Sequence, residues 1–327
     1  MTRSCALDLQ GGIFMRHLSR WITFLSSLCL PLHADLAPET SKPCISARMR
    51  GELGNQLFEI ATAYALARDH GWDYSIPDLL SNRFNCIANH QQLLYRVPVH
   101  ACPQDGAYNE YAWTRYEELP SWPGMVLNGY FQSERYFARY RDEILALFAF
   151  REGHWETLTA LYPELLEEEK IAVQVRVNYD AYHDYASVHP TFGELYFERA
   201  IADLPEGALY VVTSNHIGAA KKILSGIQRR FLFLEKTDRF DDLLIMSRCE
   251  HLIGSNSTLA WWGAWLGDRE GRRCIFPFPW HAVAPTRAHA PHLIPERWEV
   301  IECPEAMLLK DPTPNTSSGY KRSFAAF

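Results

Sequence analysis

The stretch from Ile171 to Phe278 alternates strand-like and amphipathic runs, and that alternation limits the fold more than any other feature of the chain. IAVQVRV (171–177) precedes ELYFERAIADL, and ALYVVTS (208–214) precedes IGAAKKILSGI. RFLFLEK precedes DDLLIMSRC, HLIGS precedes TLAWWGAWLG, and RRCIFPF follows. Runs suited to a pleated strand, each followed by a run of helical period, predict a parallel sheet wrapped by helices. Ligands of such sheets collect beyond the carboxyl ends of the strands.

Polar residues fall at those ends. Arg176 closes the first strand of this half, Ser214 and Asn215 the second, and Ser255, Asn256 and Ser257 follow the fourth, where a helix opens over Asn256 to Thr258. A helix start presents unpaired N–H groups and the positive end of its dipole, which suits phosphate oxygens. Arg176 can bind the same anion in bidentate fashion without a metal. Asn256 or Ser255 could equally cap the helix. Trp261, Trp262 and Trp265 offer either a sugar-stacking face or a core, with core the commoner use. Asn256-Ser257-Thr258 and Asn315-Thr316-Ser317 match glycosylation acceptors, the tail site being the better placed.

The first half opens with a short strand from Ile45, a glycine turn and a long amphipathic helix ending near Gly71. Residues 73–124 show no sustained period; a strand is expected to emerge at Asn128 and Gly129, and ARYRDEILALFAF reads as helix. The 327 residues suit two domains, expected at 43–165 and 166–308, followed by a polar tail at 309–327. Hydrophobic residues at 47% and charged residues at 22% exclude a wholly disordered chain. A net charge of −7 without a basic stripe argues against binding along a nucleic-acid backbone. Eight cysteines without a Cys-x-x-Cys pair argue against a zinc knuckle or redox dithiol and leave disulfide pairing open. Within residues 1–42, MRHLSR, the twelve-residue WITFLSSLCLPL and HADLAPET give the profile of a secretory signal or short anchor. Membrane association or export is therefore expected, with a spurious upstream extension and a cytoplasmic chain as the alternative.

Three blocks, GELGNQLFEIATAYALA (51–67), NGYFQSERYF (128–137) and LIMSRCEHLIGSNSTLAWWGAWL (244–266), together resemble the α-1,2-fucosyltransferase family, glycosyltransferase family 11. The resemblance implies an α/β fold of GT-B type, with two Rossmann-like domains facing a cleft. It also implies GDP-fucose as co-substrate, a galactose-type glycan acceptor, inversion at the anomeric carbon, and neither cofactor nor metal. By the same resemblance Arg176 matches an arginine associated with the donor diphosphate, while Ser214, Asn256 and Ser257 match segments around the nucleotide. Asn215, Ser255 and Thr258 adjoin them. Gly51, Gly54, Asn55 and Gln56 match a loop facing the reaction centre from the first domain. Gln174 stands where the family has His, Val177 where it has a second Arg, and Asn215 and His216 where it has two Asp. A non-catalytic glycan- or nucleotide-binding protein, or a transferase of another nucleotide sugar, are the alternatives. Asp180, His183, Asp184 and Glu134 are conceivable general bases, and the sequence does not choose among them.

Overall fold

The computed structural model describes residues 42–111, 115–178, 189–281, 292–304 and 307–308. The N-terminal segment and the tail thus lie outside the described residues, as does the acceptor tripeptide at Asn315. Among the described residues no helix is long and apolar enough to cross a membrane.

The chain from Lys42 folds as one unit built on two parallel sheets. The first contains β1 (Cys44–Ala47), followed by helix α1 (Leu53–His70). β2 (Asp73–Tyr74), α2 (Cys86–Gln92), β3 (Ala107–Asn109) and β4 (Val126–Asn128) complete it in the order β2-β1-β4-β3. α1 ends as its sequence requires, with Gly71 in the left-handed conformation (φ 65°) and its N–H returned to the last turn. Helices α3 (Arg141–Leu147) and α4 (His154–Leu161) lead into the second half.

There β5 (Lys170–Val175), α5 (Glu194–Ile201), β6 (Leu209–Ser214), α6 (Ile217–Ile223) and β7 (Arg230–Phe233) come first. α7 (Arg239–Arg248), β8 (His251–Ile253), α8 (Thr258–Leu266) and β9 (Cys274–Phe278) follow. A closing strand that the sequence pattern did not reveal, β10 (Glu299–Glu302), adds an edge. The order is β10-β9-β8-β5-β6-β7, every pairing parallel. The chain builds outward from β5 through β6 to β7, then returns to the other side of β5 with β8. That is the order of the doubly wound nucleotide-binding sheet, and its switch point lies between β5 and β8. The α/β fold with two parallel sheets agrees with the GT-B type.

Side chains on the central strands alternate between two cores, as a strand's period of two demands. Ile171, Val173, Tyr210 and Val212 face one core, with Tyr196 and Phe197 of α5. Ala172, Leu209 and Val211 face the other, with α7 and α8. This second core does not stop at the boundary between the sheets: it runs without a break into Ile45, Phe58, Phe137 and Phe148 of the first half. Of the eight cysteines, Cys44 and Cys102 form a disulfide that ties β1 to the segment after α2. Cys86, Cys249, Cys274 and Cys303 are free and buried.

Candidate functional site

The switch point is where the anion-suited residues meet. β5 ends at Val175, so Arg176 is the first residue beyond it. Its backbone N–H donates to Ser255 Oγ at 3.0 Å, and Ser255 Oγ donates to Gln174 O at 2.8 Å. Ser255 thereby fixes the turn after β8 against the end of β5, and places Arg176 beside the segment that opens α8. The guanidinium is partly exposed, with Nε donating to Asn178 Oδ1 at 3.2 Å.

α8 starts at Thr258, and its cap is Ser257, whose Oγ accepts from Ala260 N at 3.5 Å. The capping role expected of Asn256 or Ser255 thus falls one residue later. Asn256 is 6% exposed; Nδ2 donates to Trp280 O at 3.0 Å, while Oδ1 is buried with no hydrogen-bond partner. A side chain so enclosed cannot serve as the glycosylation acceptor.

The first half reaches the same place through Gly54. A Cβ there would lie 2.5 Å from Thr258 Oγ1 and 2.6 Å from Leu259 N, so α1 and α8 touch at their first turns only because residue 54 has no side chain. Gly51 turns the chain into α1 with φ 64°. Asn55, partly exposed, accepts from Gln132 Nε2 at 3.0 Å, which draws the Tyr130–Ser133 segment to the loop. Arg176, the opening of α8 and the Gly51–Asn55 loop are therefore neighbours.

Other expected residues have different uses. Gln56 is sealed: its amide donates to Gly51 O and Phe84 O, and Oε1 accepts from Asn89, so it holds the loop from beneath. Ser255, also fully buried, has both hydrogen-bonding functions spent on β5. These two leave the candidate ligand contacts, because a polar group buried with all its partners supplied offers nothing to a ligand. Ser214 Oγ donates to Val175 O and accepts from His216 N. Asn215 clamps Val177, accepting from its N–H at 2.9 Å and donating to its carbonyl at 2.8 Å. Both secure the end of β5. The three tryptophans are core, all at 0% exposure, so their sugar-stacking reading is corrected. Trp261 lies 4.4 Å from Phe58, and Trp262 stacks on Phe137 at 5.3 Å.

Among the conceivable bases, Glu134 is engaged: both oxygens accept from the Arg297 guanidinium at 2.5 and 2.8 Å, and Trp265 Nε1 donates to it at 3.0 Å. Asp180, His183 and Asp184 lie outside the described residues.

The structure adds three groups that sequence reasoning missed. His281, 6% exposed beyond β9, lies edge-to-face on His189, with 4.8 Å between ring centroids. Burial pushes each imidazole down to about 4, and in His189 the nearby His281 and Arg176 add to the effect. On the other side of the site, Glu110 accepts from Tyr130 N at 2.6 Å and Phe131 N at 3.0 Å, and burial pushes its carboxyl up to about 7. Only the flanking strand ends could have pointed to the histidines; Glu110 sat in a stretch without period. Among the described residues no group of three or more His, Cys, Asp or Glu side chains could hold a metal.

Fold and site define an α/β protein in which Arg176 and the opening of α8 meet at the switch point of a doubly wound parallel sheet. The chain belongs to glycosyl transferase family 11, whose model matches residues 33–284. It is 26% identical over 181 residues to an α-1,2-colitosyltransferase of Escherichia coli, covering 53% of this chain and 61% of that one. It is 27% identical over 169 residues to the O-antigen biosynthesis glycosyltransferase WbnK of Escherichia coli, covering 49% and 56%. Galactoside α-(1,2)-fucosyltransferase 2 of Oryctolagus cuniculus is 26% identical over 248 residues, 66% of this chain and 65% of that one. The chain thus spans roughly three-fifths of the length of the curated relatives it matches. Among solved structures, NodZ α-1,6-fucosyltransferase soaked with GDP-fucose superposes with a TM-score of 0.46 at 14% identity, over 69% of this chain and 92% of that one.

Proposed function

We propose that this chain transfers L-fucose from GDP-fucose to the 2-hydroxyl of a galactoside, with inversion and without a metal. The observation that carries this reading is the junction itself: Ser255 links Arg176 to the turn that opens α8, and Gly54 brings the first-half loop against that same opening. A diphosphate seated there meets a guanidinium and the positive end of a nine-residue helix. As the acceptor hydroxyl displaces the sugar in line, charge accumulates on the departing phosphate, where both groups already stand. Electrostatic stabilisation and positioning supply most of the rate, and no general base is assigned. The Gly51–Asn55 loop faces the acceptor. The relatives named as α-1,2-fucosyl- and colitosyltransferases support both the linkage and a deoxysugar donor.

The test is a product-detecting assay of the full chain with GDP-fucose and a β-galactoside, beside a panel of other nucleotide sugars. Arg176→Ala should weaken donor binding by roughly 10- to 150-fold, the equivalent of a charge-assisted hydrogen bond worth about 1.5–3 kcal/mol. Unchanged donor affinity and turnover in that variant would remove Arg176 from the leaving-group site. A product only from another sugar nucleotide would move the specificity, and binding without any product would make the chain a binding protein.

A further inference from the structure

The block NGYFQSERYF (128–137) meets the site through a strap of hydrogen bonds. β4 ends at Asn128, and Tyr130, Phe131 and Gln132 follow it. Glu110, the first residue beyond β3, stands at the adjoining strand end, where Asn109 pairs with Asn128. Its carboxylate accepts from Tyr130 N at 2.6 Å and, with both oxygens, from Phe131 N at 3.0 and 3.1 Å. One residue further, Gln132 Nε2 donates to Asn55 Oδ1 at 3.0 Å. We propose that Glu110 is a positioning residue for the acceptor: its ionised carboxylate holds segment 130–132 and, through Gln132 and Asn55, sets the loop at 51–55. This rests on the transfer reading above and deepens it by assigning a residue to the acceptor side.

Three observations carry it. Phe131 adopts the left-handed conformation at φ 48°, which a bulky residue keeps only where its surroundings impose it, and the Glu110 carboxylate grips the N–H groups on which that turn is built. Gly129 serves the same contact: a Cβ there would collide with Glu110 Cβ and lie 2.6 Å from Oε2, so the carboxylate reaches the N–H pair only because residue 129 lacks a side chain. The far end of the strap is equally close, since the Asn55 amide lies over Gly51, where a Cβ would collide with Nδ2. Among the described residues, the groups facing the carboxylate are Arg50, whose guanidinium lies 5.5 Å from the centre of the Tyr130 ring, Glu117, the buried Glu59, and the phenols of Tyr108 and Tyr136. Burial is the main influence on Glu110 and outweighs the two N–H donors; Glu117 adds to it, Arg50 opposes it, and the carboxyl is pushed up to about 7. Protonation replaces charge-assisted hydrogen bonds by neutral ones of about half the strength and takes one oxygen from the N–H pair. The strap is therefore taut above about pH 7 and slack below it.

The experiment measures fucose transfer from GDP-fucose to a β-galactoside by the full chain between about pH 6 and about pH 8, with donor affinity read separately by calorimetry. In the wild type, kcat/KM for the acceptor should fall by about three- to tenfold from the upper to the lower pH, following the ionised fraction of Glu110, while donor affinity changes less than about twofold. Glu110→Gln matches the protonated carboxyl in shape and charge, so its acceptor kcat/KM should stay near the wild-type acid value throughout, with donor affinity retained. Gln132→Leu, which cuts the strap one link further on, should lower acceptor kcat/KM and flatten its pH profile in the same way. Thermal melting confirms that each variant is folded. A flat wild-type profile overturns the assignment of Glu110 and leaves the transfer reading standing, whether or not either variant folds. An acid limb that survives in folded Glu110→Gln does the same, as does a Glu110→Gln variant that loses stability alone with its acceptor kcat/KM unchanged. No transfer from GDP-fucose to the galactoside overturns both.

Discussion

Gly54→Ala tests the junction between the two halves. In an unencumbered helix this change is stabilising by about 1 kcal/mol, because glycine is the poorer helix former. Here the sign should reverse. The new Cβ would lie 2.5–2.6 Å from Thr258 Oγ1, Thr258 C and Leu259 N, two of them backbone atoms of the α8 opening that cannot rotate away. Ordinary contact begins near 3.4 Å, so the helices must separate by about 1 Å at this point. Overpacking of this kind costs about 1–3 kcal/mol, which outweighs the propensity gain over most of its range. The net loss is then up to about 2 kcal/mol, and at a few degrees per kcal/mol in a chain of this size the melting temperature should fall by up to roughly 6 °C. On the proposed reading, in which the α8 opening holds the leaving diphosphate, a shift of about 1 Å should also cut turnover by about 100-fold. Thermal melting and the transfer assay read the two effects. Gly207→Ala, with nothing within 4 Å of its Cβ, is the neutral control. A Gly54→Ala variant that melts and turns over like wild type would refute the claim that this contact sets the site.

Trp262→Ala removes a fully buried ring stacked on Phe137 and should lower stability by about 3–5 kcal/mol, read from denaturation midpoints. Replacing Cys44 and Cys102 with serine opens a loop spanning 58 residues, and the loss should approach about 4 kcal/mol in the oxidised protein and vanish under reductant. His281, held near 4 in the fold against a usual 6.5, contributes stability that is fully present above pH 6.5 and is lost as pH falls towards 4. That loss should reach about 3 kcal/mol, and His281→Gln should remove it from the stability–pH profile.

The strand–helix order of the second half was legible because its central strands β5, β6 and β8 are buried on both faces and so read as continuous apolar runs. Arg176 was legible for the same reason, since a guanidinium cannot stay inside such a strand. Ser255 and Gln56 show where that logic runs out. A polar residue at a turn can serve a ligand or the backbone, and sequence names the residue type but not the outlet. Their burial and filled partners decide it. β10 and β3 were missed because three or four residues beside prolines and aromatics carry too little period to stand out. His189 and His281 escaped for a different reason: nothing local marks either, and their meeting depends on tertiary packing, since the strands they follow, β5 and β9, are separated in the sheet by β8.

That dependence also explains why a helix as apolar as α8 opens at a polar site. Its three tryptophans are wedged against Phe58 of α1 and Phe137, so the helix belongs to the core of both halves at once. Arg141 stacks over Trp265, whose Nε1 donates to Glu134, and Glu134 in turn holds Arg297. A helix fixed on so many sides cannot rotate or slide without opening a cavity, and cavities in closely packed interiors cost several kcal/mol. Its first turn is therefore held at a set distance from Arg176 and from the Gly51–Asn55 loop before any ligand arrives. A site that stabilises developing charge by position gains from such rigidity, because no reorganisation accompanies the reaction. On the proposed reading, the aromatic cluster thus acts on the chemistry without touching it. Softening it with Trp262→Leu, which keeps an apolar side chain but leaves a void, should lower turnover more than donor affinity.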